Sequence, residues 1–158
     1  MEFAEFYRTS RDSCLRAVYA VVADRHLAED LVAESFARAL LRWGTVSRHP
    51  APAAWVVRTA LNTRVSWWRK RRREVPLTSY ADGPTTAVGE PGIDAEVMDA
   101  VRRLPRRQRE VLALRIFLDL DTRQTATVLG ISANTVSVHL FRAVAQLRER
   151  LSDNVQRV

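Results

Sequence analysis

Two tryptophans stand directly before five consecutive cations in RVSWWRKRRREVP, residues 64–76: Trp67 and Trp68, then Arg69, Lys70, Arg71, Arg72 and Arg73. Indoles stack on unpaired bases and cations pair with phosphates, so the combination has the chemistry of a nucleic-acid surface. Each half alone is ordinary, because tryptophan pairs usually fill cores and a basic run suits the solvated C-terminal end of a helix. Other reactive side chains are sparse. The chain has one cysteine, Cys14, and three scattered histidines, His26, His49 and His139. That excludes an intramolecular disulfide or a thiolate zinc cage and supplies no metal-ligand spacing. Glu29, Asp30 and Glu34 cluster without a catalytic partner. No nucleophile–base or acid–base constellation is found, so the expectation is a binding protein with no catalytic residue, metal or cofactor.

The charge is distributed in blocks along the 158 residues. Residues 1–75 carry a net +6, residues 76–100 a net −5, and residues 101–158 again +6, for +7 in all. Basic blocks attract a polyanion and the strip between them is repelled by one. Lys70 is the one lysine among 25 basic residues, a bias that a GC-rich genome would also produce. The N-terminus MEFAEFYRTS lacks a basic-then-apolar signal pattern, and the longest apolar run, AVYAVVA at 17–23, is far short of the ~20 residues of a membrane span. A cytoplasmic protein without membrane insertion is expected.

No stretch alternates with period two for long enough to form a strand, so the fold is predicted to be all-α. Residues 76–92 hold three of the six prolines and three of the five glycines, which marks a linker. The chain then divides into a helical domain over 1–75, an acidic linker over 76–94 and a second helical domain over 95–158. In the first, Phe3, Tyr7, Cys14 and Val18 share a helical face. A second helix over about 27–43 places Val32, Phe36, Leu40 and Trp43 together and ends at Gly44, and a third follows Pro52 to about residue 73. In the second domain Val97, Val101 and Leu104 form an apolar stripe and Pro105 opens a helix. Asp121 and Gln124 are spaced as a capping box, Gly130 ends that helix, and Ser132 caps a last one carrying Val136, Leu140, Val144, Leu147 and Leu151.

A capped helix, a glycine turn and a second capped helix make a helix-turn-helix. Ala126 allows close packing, Leu129 and Ile131 fill the angle, and Val136 and Leu140 anchor the second helix. Asn134, Thr135, Ser137, Val138, Phe141 and Arg142 then project outward, where a recognition helix meets a major groove. The plain alternative is an antiparallel helix pair with a solvated outer face.

With these residues in view, LPRRQREVLALRIFLDL followed by TATVLGISANTVSVHLFRAVAQLR resembles the −35-reading domain of bacterial sigma factors. AEDLVAESFARALLRW and AAWVVRTALNTRVSWWRKRRRE are similar to the core-binding and −10-reading segments of the same family. The short, two-domain layout matches the extracytoplasmic-function group of the sigma-70 family, and the resemblance covers residues 3–73 and 95–151.

The resemblance implies a subunit that binds core RNA polymerase and directs promoter recognition, melting and initiation, engaging duplex and melted single-stranded promoter DNA. On the −10 side it points to Trp55, Arg58, Asn62, Arg48, Arg69, Lys70 and Arg71. Asn62 and the loop 45–53 match a pocket for a flipped-out base, and the family's DNA-propping tryptophan pair falls on Trp55 and Val56. On the −35 side it points to Arg123 with Asn134, Thr135, Ser137, Val138, Phe141 and Arg142. The helix with Asp30, Leu31, Val32, Glu34 and Phe36 matches the one that docks on a coiled coil of the polymerase, with acids around an apolar strip; a solvated acidic face is the plain alternative. The linker reads either as an acidic imitation of a nucleic-acid strand or as a soluble spacer. Either Trp67 or Trp68 closes the core: the stripe Val57, Leu61, Val65, Trp68 favours one and family spacing the other.

Four residues depart from the family pattern. Gln124 and Thr125 stand where an acidic and an aliphatic residue are common, and Ser137 and His139 where basic residues are common. Phosphate grip therefore rests on Arg123 and Arg142. No sensor segment is apparent, so regulation is expected from another chain, an anti-sigma factor being one candidate. A stand-alone helix-turn-helix regulator is the competing binding function, and a nucleic-acid-processing enzyme the competing catalytic one.

Overall fold

The computed structural model describes residues 1–74 and 95–157, apart from the side chains of Trp68 and residues 71–74; the expected linker over 76–94 lies outside them. The described residues form eight helices: α1 Phe3–Val22, α2 Arg25–Leu41, α3 Trp43–Val46, α4 Pro52–Glu74, α5 Ala95–Arg102, α6 Arg106–Ile116, α7 Thr122–Leu129 and α8 Ala133–Gln156. The all-α prediction holds across them.

Local chemistry sets the helix ends. Asp24 caps α2, its carboxylate accepting from the Leu27 N–H at 3.1 Å. The capping box of α7 forms in both directions: Asp121 Oδ1 accepts from the Gln124 N–H at 2.8 Å, and Gln124 Oε1 accepts from the Asp121 N–H at 2.9 Å. Gly130 takes the left-handed cap at φ 66°, and Ser132 accepts from the Thr135 N–H at 3.0 Å to start α8. Gly44 departs from expectation. It lies inside the short α3, while α2 ends at Leu41. Leu40, expected on the inner face of α2, is 54% exposed, because Leu31, Val32, Ser35, Phe36 and Ala39 define the buried stripe.

An aromatic knot ties α1, α2 and α3 together. Trp43 stacks on Phe6 with ring centres 5.0 Å apart and meets Phe3 edge-on at 5.4 Å, while Phe36 packs on Phe6 and Tyr7. Such pairs add to simple area burial. Cys14 lies wholly inside, and burial pushes its thiol pKa up to about 12. It stays neutral and acts as a small apolar filler. The core does not stop at the first lobe. Met98 and Val101 of α5, Leu104 in the turn that follows, and Leu112, Ala113 and Leu114 of α6 belong to the same buried cluster as residues of α1, α2 and α4.

Candidate nucleic-acid interface

The long helix α4 presents two faces. Val56, Val57, Ala60 and Leu61 are buried, whereas Trp55, Thr59, Asn62, Ser66 and Arg69 recur at helical spacing on the other side. Asn62, Arg58, Arg69 and Lys70 are exposed and Trp55 is half-buried. The Arg71 side chain, and with it that part of the expected phosphate grip, lies outside the described residues. Val56 is fully buried and corrects one expectation: only Trp55 of the pair 55–56 can meet a strand. Adjacent residues on a helix point about 100° apart, so Trp55 can border the outer face while Val56 enters the core.

Two hollows lie end to end along this face. One, of about 320 Å³, is walled by Leu41, Arg42, Trp55 and Thr59, and the other, of about 260 Å³, by Asn62, Thr63, Ser66 and Trp67. Arg38 and Thr59 border both, so the hollows join into one open trough between α2 and α4. Arg38 is held there by Glu34 at 2.6 Å and by the Thr63 hydroxyl at 3.0 Å. Trp67 packs on the core while its edge forms the end of the trough. Of the two tryptophans that the sequence left open, Trp67 is thus in contact with the core, and the Trp68 side chain lies outside the described residues. The loop before α4 is fixed from below: Val46 is buried, the Ala51 N–H donates to His49 Nδ1 at 3.0 Å, and Arg48 stays exposed.

Arg38 and Arg42 were not singled out from the sequence. Their signal was present as an i, i+4 basic pair at the end of an otherwise acidic helix.

In the second lobe the axes of α7 and α8 turn through 103°, within the range of a helix-turn-helix. Val136 and Ala143 are fully buried, and Leu129, Ile131 and Leu140 pack around the angle. Asn134, Ser137, Arg142 and Arg123 are exposed, with Val138 38% and Phe141 77% exposed. Phe141 therefore lies outside the core. Thr135 is only half-exposed, and its hydroxyl lies 2.7 Å from Ser132 Oγ, so it is partly committed to the cap. His139 is half-buried with Nδ1 enclosed and without a hydrogen-bond partner, which removes it from the outer face.

The apolar strip expected to dock on polymerase is not a surface. Leu31, Val32 and Phe36 are 0%, 3% and 2% exposed and belong to the core. They share the helical face of Ala28, Ser35 and Ala39, and one stripe cannot face both core and partner. Asp30 is exposed and Glu34 partly so, leaving acids and the small Ala33 and Ala37 on the outer side of α2. No single helix among the described residues is long and apolar enough to cross a membrane.

Comparison with known proteins reaches both lobes. Residues 6–74 match the family model for Sigma-70 region 2 and residues 94–147 the model for Sigma-70, region 4. The chain is 39% identical over 153 residues to the RNA polymerase sigma-E factor of Streptomyces coelicolor, covering 96% of this chain and 86% of that one. It is 31% identical over 163 residues to the ECF RNA polymerase sigma factor BldN of the same organism, covering 98% of this chain and 62% of the relative. Among solved structures, the sigma factor RpoE of Bartonella quintana, crystallised with the anti-sigma factor NepR, is similar in fold. The TM-score is 0.76 at 23% identity, over 95% of this chain and 96% of that one.

Proposed function

We propose that this chain, which belongs to the extracytoplasmic-function group of sigma-70 family RNA polymerase sigma factors, divides promoter recognition between its two lobes. As a sigma factor it binds core RNA polymerase and directs promoter recognition, melting and transcription initiation. A stand-alone regulator would account for residues 94–147 and leave the match over 6–74 unexplained.

In this division residues 1–75 hold core polymerase and the melted −10 strand, residues 76–94 tether, and residues 95–158 read the −35 duplex. The observation that supports it best is the exposed strip of α4, where Asn62 and Trp55 border a trough open to solvent. Trp55 stacks on a base, Asn62 hydrogen-bonds to a base edge, and Arg38 and Arg42 neutralise the phosphates that follow. Arg48, Arg58, Arg69 and Lys70 grip the backbone without choosing sequence. On α8, Asn134, Ser137 and Arg142 reach base edges or phosphates, and Val138 and Phe141 offer apolar contact to thymine methyls. Asp30 faces the polymerase and attracts basic side chains across the interface, while Glu34 is engaged by Arg38 in this structure. The protein supplies recognition and no bond-making step, and it works in the cytoplasm, where an anti-sigma partner could restrain it.

Asn62→Ala tests this division. A solvent-exposed asparagine contributes little to folding, so affinity for core, measured by fluorescence anisotropy, is expected to change less than twofold. Open-complex formation, followed by permanganate reactivity of melted thymines, is expected to fall roughly tenfold or more, because a lost base contact is worth ~1–3 kcal/mol. Equal loss of core binding and opening would make Asn62 structural.

A further inference from the structure

Arg38 borders both hollows of the trough, so its position decides how the two join. A surface arginine normally samples many rotamers, because its long side chain loses much entropy when fixed. Arg38 is instead anchored from two helices. On α2, one turn earlier, Glu34 Oε1 accepts from its Nη2 at 2.6 Å. On α4 the Thr63 hydroxyl accepts from its Nη1 at 3.0 Å. Thr63 is 4% exposed, and its own hydroxyl proton goes to the Thr59 carbonyl at 2.8 Å. With that proton committed, Thr63 Oγ1 is left as an acceptor, which suits a cation. The two anchors use two of the five N–H groups of the guanidinium and leave the others for a third partner.

We propose that Glu34 and Thr63 are positioning residues: they fix the Arg38 guanidinium where the hollows join, and there it meets a phosphate of the unpaired strand. The inference rests on the strand-binding role of the trough given above. Stability does not explain the arrangement. The side chains of Arg38 and Glu34 are 47% and 36% exposed, and an i, i+4 pair so open to water adds little to folding. Charge alone does not explain it either, since a carboxylate beside the groove repels the strand that the groove binds. What the carboxylate supplies is direction. A guanidinium fixed before the strand arrives loses less freedom when the phosphate binds, so more of the contact appears as affinity. Glu34 then serves the DNA side of α2, and Asp30, exposed one turn earlier, is left to the polymerase.

The test uses the full chain bound to core polymerase and a promoter fragment, chosen by run-off transcription, that is either fully duplex or premelted over its −10 element. Charge and positioning predict opposite signs for Glu34→Ala. Removing a negative charge beside a strand tightens binding, whereas releasing Arg38 weakens it. Affinity for premelted DNA is expected to fall roughly tenfold in Glu34→Ala and in Thr63→Val, as for the loss of one hydrogen bond to a charged group. Thr63→Ser, which keeps the hydroxyl, is expected to restore most of that affinity. Core affinity, read by fluorescence anisotropy, is expected to change less than roughly twofold in each variant. In an Arg38→Ala background, Glu34→Ala and Thr63→Val are expected to add nothing, because a positioning residue acts only through the group it positions. Tighter binding by Glu34→Ala overturns the proposal, and so does a loss that persists without Arg38 or one matched by a loss of core affinity. Each of these results leaves the parent's preference for premelted over duplex DNA, and with it the promoter function, standing. A parent with no such preference contradicts the strand-binding role of the trough and takes the proposal with it.

Discussion

At the scale of single residues, the two DNA-facing surfaces differ in what their side chains can lose. Arg142 is exposed on α8 beside Phe141, which is 77% exposed. If Arg142 holds a phosphate, Arg142→Ala weakens −35 binding by the holoenzyme about equally on all sequences and flattens the log K against log salt slope by roughly one. Phe141→Ala, by contrast, is expected to relax preference at one base position and leave that slope unchanged. Competition binding over a salt series separates the two. Thr125 makes a stability prediction of the opposite sign. Its side chain is fully buried and its hydroxyl has no hydrogen-bond partner. Thr125→Val keeps the shape and removes an unsatisfied polar group, so it is expected to stabilise the fold by ~1 kcal/mol. Thermal unfolding reads that as a rise of roughly 2–4 °C for a chain of this size.

The helix-turn-helix shows why some elements were legible in the sequence and others were not. Asp121, Gln124, Gly130 and Ser132 act within four residues of their own position, through caps and a left-handed turn, so their pattern alone fixed α7 and α8. Gly130→Ala isolates this local chemistry. A Cβ there meets nothing within 4 Å, so the cost is backbone strain alone, about 1–2 kcal/mol. Unfolding measurements on the full chain are expected to show that loss with no change in helix content of the folded state. The end of α2 was misread because Gly44 offered the same signal where the structure does not use it. The aromatic contacts of Trp43 with Phe3 and Phe6 instead hold the chain in a second short helix. The acidic helix misled for a related reason. Leu31, Val32 and Phe36 are apolar beside acids, and periodicity alone does not say whether such a stripe faces a core or a partner. The trough was half legible: α4 announced Trp55 and Asn62, while Arg38 and Arg42 come from another helix and meet them only in the fold.

For the molecule as a whole, the charge blocks announced two cationic lobes, and the fold adds that they share a core. Burial of α1 on both sides was foreshadowed only by its unbroken apolar run at 17–23. Long-range packing of this kind leaves no local signature, because each partner reads as an ordinary amphipathic helix. The account as a whole treats the chain as a recognition subunit that gives a larger enzyme its start sites. Run-off transcription with purified core polymerase on genomic fragments tests that most directly. With the protein added, discrete transcripts absent from core alone are expected, and Asn62→Ala is expected to reduce them. Folded protein that yields no new transcript on any fragment, and forms no complex with core, would contradict the account.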